Sequence, residues 1–90
     1  MIVPGSLFSE GGNMNIISIL FKAGTIFGRI SALYPNLQLQ IWIEPDLTLH
    51  IEQKDMIPEV IGYSTPQALL VDAEKLLASA KYRKQFFPNG

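Results

Sequence analysis

Alternating apolar and polar positions mark the middle of the chain, between Leu37 and Gln53. The run reads LQLQIWIEPDLTLHIEQ, and only Pro45-Asp46 interrupts the alternation. Alternation at this period is typical of strands with one buried face, and the interruption predicts a turn between the two strands of a β-hairpin. The odd-numbered leucines and isoleucines would form the core face. The outer face would carry Gln38, Gln40, Trp42, Thr48 and His50.

Parity restricts the register of this hairpin. Opposed residues share a face, so the numbers of two opposed core residues, both odd, must have an even sum. A three-residue loop over residues 44–46 meets this condition by pairing Ile43 with Leu47. Asp46 would then take the left-handed conformation, which aspartate tolerates. A five-residue loop is the other allowed solution. With the shorter loop, the outer pairs are Trp42 with Thr48 and Gln40 with His50.

An apolar stretch with helical spacing precedes the hairpin. Its apolar residues recur every three or four positions over residues 14–34, which predicts a long helix. Asn13 or Asn15 can cap this helix. Pro35 ends it, because the residue before a proline avoids the α region.

Two glycines complicate this helix. Gly24 and Gly28 each cost about 1 kcal/mol relative to alanine inside a helix. The alternative is therefore a strand over residues 15–21, followed by a shorter helix from Thr25. If the long helix forms, the glycines lie one turn apart and would let another backbone approach closely. Packing against the hairpin or a second helix is the favoured explanation.

A second helix is predicted at the C-terminal end. Ser64 or Thr65 can cap it, and Pro66 occupies the favoured first position. The apolar stripe of this helix continues to Phe87, and Pro88 stops it. The stripe consists of Leu69, Leu70, Ala73, Leu76, Leu77 and Ala80.

The order helix, strand, strand, helix predicts an α+β fold, in which two helices pack on one face of a small antiparallel sheet. A two-stranded sheet is weak by itself. A third strand is therefore expected from residues 57–61, from residues 15–21, or from a second chain. Residues 14–90 would form this single domain.

Residues 1–13 are expected to be a flexible leader or arm. Glu10-Gly11-Gly12 comes shortly before Met14, and codons for these residues can spell a bacterial ribosome-binding site. One interpretation is that Met14 is the native start and that the source is a bacterium or a phage. A genuine N-terminal arm is the alternative.

The chain combines a small size with few charges. Of its 90 residues, 48% are hydrophobic and 17% are charged, and a domain of this size buries only roughly 60–65% of its unfolded surface. We therefore expect a homodimer that completes the burial. Lys22 and Arg29 argue against a membrane span in the first helix, since a charge near the bilayer centre costs about 2.5–3.5 kcal/mol.

Candidate chemistry is sparse. The chain has no cysteine and one histidine, so disulfides and thiolate chemistry are excluded, and neither a metal nor another cofactor is expected. A chain without cysteine fits a reducing cytoplasm. No nucleophile elbow or phosphate-binding loop is present. These observations favour a non-enzymatic protein.

Trp42 is the residue of the predicted outer face that most strongly indicates a function. An exposed tryptophan among polar residues is typical of a contact surface, since aromatic residues anchor many interfaces. We therefore expect a protein-interaction module, in one form an inhibitor of a host enzyme, that binds a partner protein. The predicted contact residues are Trp42, His50, Gln40 and Thr48.

Two other functions are open. The basic end of the last helix, with Lys81, Tyr82, Arg83 and Lys84, could contact nucleic acid, although the net charge of −1 supplies no strong overall field. Alternatively, His50 with Glu52 could line a dimer-interface cleft that binds or converts a small ligand.

Overall fold

A computed structural model describes residues 12–90 of the chain, with side chains from residue 16 onward. Its three strands form one antiparallel sheet in the order β1-β2-β3. The predicted α+β class is confirmed, and the third strand comes from the segment after the hairpin. The elements are α1 (Gly12–Ala32), a short 3-10 helix (Pro35–Leu37), β1 (Gln40–Ile43), β2 (Thr48–Glu52), β3 (Glu59–Gly62), α2 (Pro66–Ala78) and α3 (Ala80–Phe86).

Helix α1 is the long helix predicted from the apolar periodicity, and the alternative strand over residues 15–21 is wrong. Ala23, Phe27 and Ile30 are almost completely buried along its core face. The helix begins at Gly12, upstream of the expected caps Asn13 and Asn15. Residues 1–11, which make up most of the predicted leader, lie outside the described residues.

The hairpin adopts the longer of the two loops that parity allows. Ile43 lies opposite Leu49 and Ile41 opposite Ile51, so residues 44–48 connect the paired positions. The expected three-residue loop, with Ile43 opposite Leu47, is therefore wrong by two residues. Core and outer faces are unchanged by this shift, because a two-residue slip preserves the side of every residue.

The turn itself explains this register. The amide of Leu47 donates to the carbonyl of Glu44, and the amide of Glu44 donates to the carbonyl of Thr48, at 3.0 and 2.9 Å. Leu47, not Asp46, takes the left-handed conformation, with φ at 65°. Asp46 instead accepts two hydrogen bonds from Thr48, one from its amide and one from its hydroxyl. Aspartate is common in turns because its side chain can accept hydrogen bonds from residues two positions further along the chain.

The first predicted strand is shorter than the alternation suggested. Leu37 lies in the 3-10 helix with 4% of its surface exposed, so it reaches the core from a helical turn. Gln38 follows in the left-handed region and ends this helical turn before β1 begins. Gln38 therefore does not belong to the outer face of the sheet.

Strand β3 supplies less of the core than its apolar residues imply. Ile61 packs against the core. Val60, in contrast, leaves 58% of its surface exposed, and Ile57, which precedes the strand, leaves 89% exposed. The pairing explains Val60, because it lies opposite His50 on the outer face.

The last predicted helix is two helices, and the expectation of one helix up to Phe87 is wrong. Ser79 interrupts it in an extended conformation, and its hydroxyl accepts a hydrogen bond from the amide of Tyr82. The interruption lets Phe87 turn into the core, where 1% of its surface is exposed. Thr65 caps α2 as expected, accepting from the amide of Ala68.

The core lies between the inner sheet face and the helices. Leu49 and Ile51 of the central strand are buried there against residues of α1 and α2. Helix α1 packs on both α2 and β1. Among the helices that the structure describes, none combines the length and the apolar character needed to cross a membrane.

Candidate functional site

The outer sheet face brings Trp42 and His50 together. The two residues lie opposite each other on β1 and β2. Their rings stack almost in parallel, with 4.9 Å between centroids and 9° between planes. The indole N–H of Trp42 donates to Oε2 of Glu44 at 2.8 Å. Both interactions hold the indole ring in one orientation while 37% of its surface stays exposed.

A line of polar atoms runs from the turn to the histidine ring. The hydroxyl of Thr48 lies 2.6 Å from Oδ1 of Asp46 and 3.2 Å from Nε2 of His50. An ionised carboxylate only accepts hydrogen bonds, so the hydroxyl proton points to Asp46. The nitrogen Nε2 of His50 must therefore donate to Thr48.

This arrangement fixes the chemistry of three side chains. The hydrogen bond from Thr48 holds the pKa of Asp46 below its ordinary value. With Nε2 protonated, His50 cannot take the proton of Thr48, so the hydroxyl is not prepared as a nucleophile. In the neutral ring, Nδ1 remains as the acceptor. The arrangement therefore orients a surface and provides no activated attacking group.

The observed register changes the neighbours that the sequence predicts for these residues. Gln40 lies opposite Glu52, and Trp42 opposite His50. The predicted pairs, Trp42 with Thr48 and Gln40 with His50, are therefore wrong. All four predicted contact residues nevertheless share the outer face.

Val60 extends this face across the third strand. It lies opposite His50 on β3, so Trp42, His50 and Val60 form one row across the sheet. From its apolar character Val60 is expected at the edge of the core, and this expectation is wrong because the residue is 58% exposed on the outer face. Only the pairing of β3 reveals its place, because a strand of four residues carries too little periodicity.

The basic C-terminal residues divide into two groups. Arg83 is half-buried and lies inside the fold. Its Nε donates to the hydroxyl of Tyr34 at 2.8 Å, and its Nη1 donates to the carbonyls of Leu76 and Leu77 at 2.9 and 2.7 Å. These carbonyls end α2, where the helix supplies no donors of its own. Lys81 and Lys84 are exposed on the surface.

Tyr82 is also held by the protein. Its hydroxyl donates to Oδ1 of Asp72 at 2.7 Å, and the ammonium of Lys75 lies 4.3 Å from its ring centroid. Tyr63 donates to the other oxygen of the same carboxylate. The hydrogen bond to Asp72 is the main cause that raises the pKa of Tyr82. For Tyr63, burial is the main cause and the bond to Asp72 adds to it, so its pKa lies far above the ordinary value.

Sequence reasoning missed this tyrosine–aspartate cluster. Asp72 follows the apolar residues at the start of α2, and the sequence around it identifies no partner for its carboxylate. The available signal was its helical spacing from Leu69 and Leu76 of the apolar stripe, since a carboxylate half-buried beside the core requires hydrogen-bond donors. The identity of those donors depends on three segments meeting in space.

Two open grooves flank helix α1. The larger one, about 930 Å³, lies between α1 and α2, with Lys22, Arg29 and Glu74 among apolar walls. The smaller one, about 510 Å³, lies between α1 and the free edge of β1. Phe21 lines both grooves with 76% of its surface exposed. Neither groove is lined by His50 or Glu52, the pair expected in a ligand cleft.

Within residues 12–90, no group of three or more histidine, aspartate or glutamate side chains is arranged to hold a metal ion. Comparison with protein-family models, with curated proteins and with solved structures found no match for the chain. The outer sheet face, with its oriented Trp42–His50 stack, is therefore the feature that bears on function.

Proposed function

We propose that the chain is a small, non-enzymatic protein-interaction module that binds a partner protein through the outer face of its sheet. The observation that carries this proposal is the oriented Trp42–His50 stack, which the helices leave uncovered. A tryptophan with a fixed ring loses little side-chain entropy when it is buried by a partner. The stack therefore suits an interface anchor.

The surroundings of the stack support a specific contact. Val60 adds apolar area at one end of the row, and Gln40 and Glu52 add polar groups at its border. An apolar centre with a polar rim is the usual anatomy of a protein interface. An accessory protein of a bacterium or a phage, acting in the cytoplasm and inhibiting an enzyme that it binds, is one form of this proposal.

Nucleic acid is the competing partner, with weaker support. Arg83 and Tyr82 use their polar groups within the fold, which leaves Lys81 and Lys84 as the exposed members of the predicted basic set. Two lysines neutralise few phosphates, and phosphate neutralisation supplies most of the affinity for nucleic acid.

The test is affinity capture from cells of the source, followed by direct binding of the identified partner to the purified chain. We expect Trp42→Ala and His50→Ala each to weaken binding by roughly tenfold or more, as interface anchors do. Val71→Ala is the matched control, because Val71 is apolar and 62% exposed on α2, away from the sheet. Urea denaturation of each variant checks that the fold persists.

Three results would count against the proposal. Unchanged affinity of both outer-face variants would remove this face as the binding site. Retention on DNA or RNA that falls steeply with salt, and is lost in the double variant Lys81→Glu/Lys84→Glu, would favour nucleic acid instead. Loss of binding in Val71→Ala would place the contact on the helices.

A further inference from the structure

Among residues 12–90, β2 is the only strand that pairs with β1, so the outer edge of β1 offers backbone groups that no described strand uses. Glu44 and Thr48 are joined by a backbone hydrogen bond, and such bonds alternate along an antiparallel pair. The backbone groups of Gln40 and Trp42 therefore face β2, and those of Ile41 and Ile43 point away from the sheet. An edge of this kind is a template for another strand.

The groove beside this edge is apolar and continues onto helix α1. It is lined by Ile17, Leu20, Phe21 and Gly24 of α1 and by residues 41–45 of the hairpin. Ile17 and Phe21 leave 67% and 76% of their surface exposed. Apart from the adjoining backbone of α1, no atom of the described residues lies within 4 Å of the position where a side chain would begin on Gly24 or Gly28. The expectation that these glycines pack closely against the hairpin or a second helix is therefore wrong.

We propose that a second copy of this chain occupies the groove and joins its β1 antiparallel to the first. This proposal gives a geometry to the homodimer that the composition leads us to expect. Only the use of the dimer, as a doubled binding surface, rests on the proposed function. The two-fold axis would pass midway between the two Trp42 residues, perpendicular to the sheet. Six strands would then form one continuous sheet.

This register satisfies the outward-facing backbone groups. Ile41 pairs with Ile43 of the second copy, and Ile43 with its Ile41, so both residues exchange N–H and C=O groups on each side of the axis. The two Trp42 side chains meet at the axis, at a position where strands bring side chains closest. Gln40 lies opposite Glu44 of the second copy, so an amide donor meets a carboxylate.

The same axis pairs the exposed stripes of the two α1 helices. Both helices lie above their β1 strands on the inner side of the sheet, so the axis brings them together in antiparallel orientation. Ile17 and Phe21 are then covered by the neighbouring helix. Lys22 and Arg29 line the opposite groove, so like charges stay away from the axis.

A stable dimer needs the exposed stripe of α1 as well as the edge of β1. Stable interfaces bury about 1,200–2,000 Å² in total, more than a four-residue strand edge supplies. The exposed side chains of α1 add apolar area at the same site. The dimer would also join two outer faces into one surface, which presents the Trp42–His50 stack twice.

Light scattering during size exclusion tests this dimer. We expect the wild-type chain to be dimeric and Phe21→Glu to raise the dimer Kd by about a hundredfold or more. Val71→Glu is the matched control, since it places the same charge on another exposed apolar position, and it should remain dimeric. Circular dichroism of the monomeric variant shows whether the fold is intact.

Cysteine crosslinking tests the register. Because the sequence contains no cysteine, only the introduced cysteines can form disulfides. Gln40→Cys of one copy and Glu44→Cys of the other would lie opposite each other on the two joined strands, at the Cα separation that a disulfide requires. A mixture of the two single variants should crosslink under mild oxidation, and each variant alone should crosslink far less. Val60→Cys, on the far edge strand, should stay uncrosslinked.

The outcomes separate this inference from the proposed function. A monomer at the highest accessible concentration, a dimer unaffected by Phe21→Glu, or crosslinking through Val60→Cys would each overturn the dimer described above. The proposed function survives any of these results if Trp42→Ala and His50→Ala still lose the partner. It fails if the dimer forms as described and both variants keep the partner.

Discussion

Two regions of this molecule carry aromatic and polar side chains together, and the fold uses them in opposite ways. Around Asp72 and Arg83, each polar group is directed at another part of the same chain. Around Trp42, the hydrogen bonds stay within the hairpin and orient side chains that remain exposed. The first region holds the helices in place, and the second presents a surface.

The comparison shows why residue type alone does not identify a binding surface. A basic cluster with a tyrosine and an outer strand with a tryptophan are both reasonable candidates in the sequence. Arg83 donates hydrogen bonds to the end of α2 and to Tyr34, so few of its N–H groups remain to bind phosphate. Trp42 has one donor, which Glu44 takes, and the area of its ring remains for a partner.

The largest expected effect concerns Arg83. We expect Arg83→Ala to lower the free energy of unfolding by roughly 2–4 kcal/mol, because three acceptors in a half-buried site lose a charged donor. Arg83→Lys should recover only part of the loss, since an ammonium lacks the planar fork of the guanidinium. Urea denaturation measures both.

Lys84→Ala is the control for Arg83, as an exposed neighbour of like charge, and it should leave the free energy of unfolding nearly unchanged. If Arg83→Ala proved as stable as this control, Arg83 would be a free surface cation. The comparison between the two regions would then collapse, and the nucleic-acid interpretation would regain its basic patch.

A smaller effect is expected from Tyr63→Phe, about 1 kcal/mol at neutral pH, because one hydrogen bond to Asp72 is lost. The pKa of Tyr63 is raised in the folded state above the ordinary value of 10.0. Its stabilisation is therefore complete below about pH 10 and is lost as the pH rises beyond it. Unfolding measured between neutral and alkaline pH should show the wild-type and variant curves converging at the alkaline end.

Tyr82→Phe provides the comparison for this pH effect. The pKa of Tyr82 is also raised, with the hydrogen bond to Asp72 as the first cause. The stabilisation from Tyr82 should therefore also be lost as the pH rises above the ordinary tyrosine value. Parallel pH curves for the wild type and both variants would show that Asp72 does not hold these tyrosines in solution.

The smallest effect is expected at Asp46, which supports the outer face from the turn. The pKa of Asp46 is lowered in the folded state, so its contribution is present above the ordinary value and is lost as the pH falls below it. Asp46→Asn should flatten the acid side of the stability curve. The exposed Glu59→Gln serves as control, and an identical change in both variants would refute the role of the Thr48 hydrogen bonds.

The hairpin illustrates how far sequence reasoning reaches. Alternation placed Trp42, Gln40, Thr48 and His50 on one face, and the structure agrees. The same alternation allowed two registers, and the chosen loop was the wrong one. The local hydrogen bonds of the turn decide between them, with Leu47 in a conformation that its side chain does not favour.

The C-terminal region illustrates where such reasoning stops. Thr65 and Pro66 correctly predict the start of α2, because helix capping depends on residues that are neighbours in the chain. The interruption at Ser79 was missed, since a serine in a helical pattern can either continue the helix or cap the next one. Burial of Phe87 in the core accompanies the second choice, and it involves contacts distant in sequence.

The sequence by itself determined the α+β class, the long first helix and the division of the hairpin into a core face and an outer face. These features follow from the period of apolar residues, which is a local property of the chain. Only the tertiary structure decided that Trp42 stacks on His50, that Arg83 closes the end of α2, and that the β1 edge adjoins the exposed stripe of α1. Each of these depends on which distant segments meet, and periodicity carries no information about that.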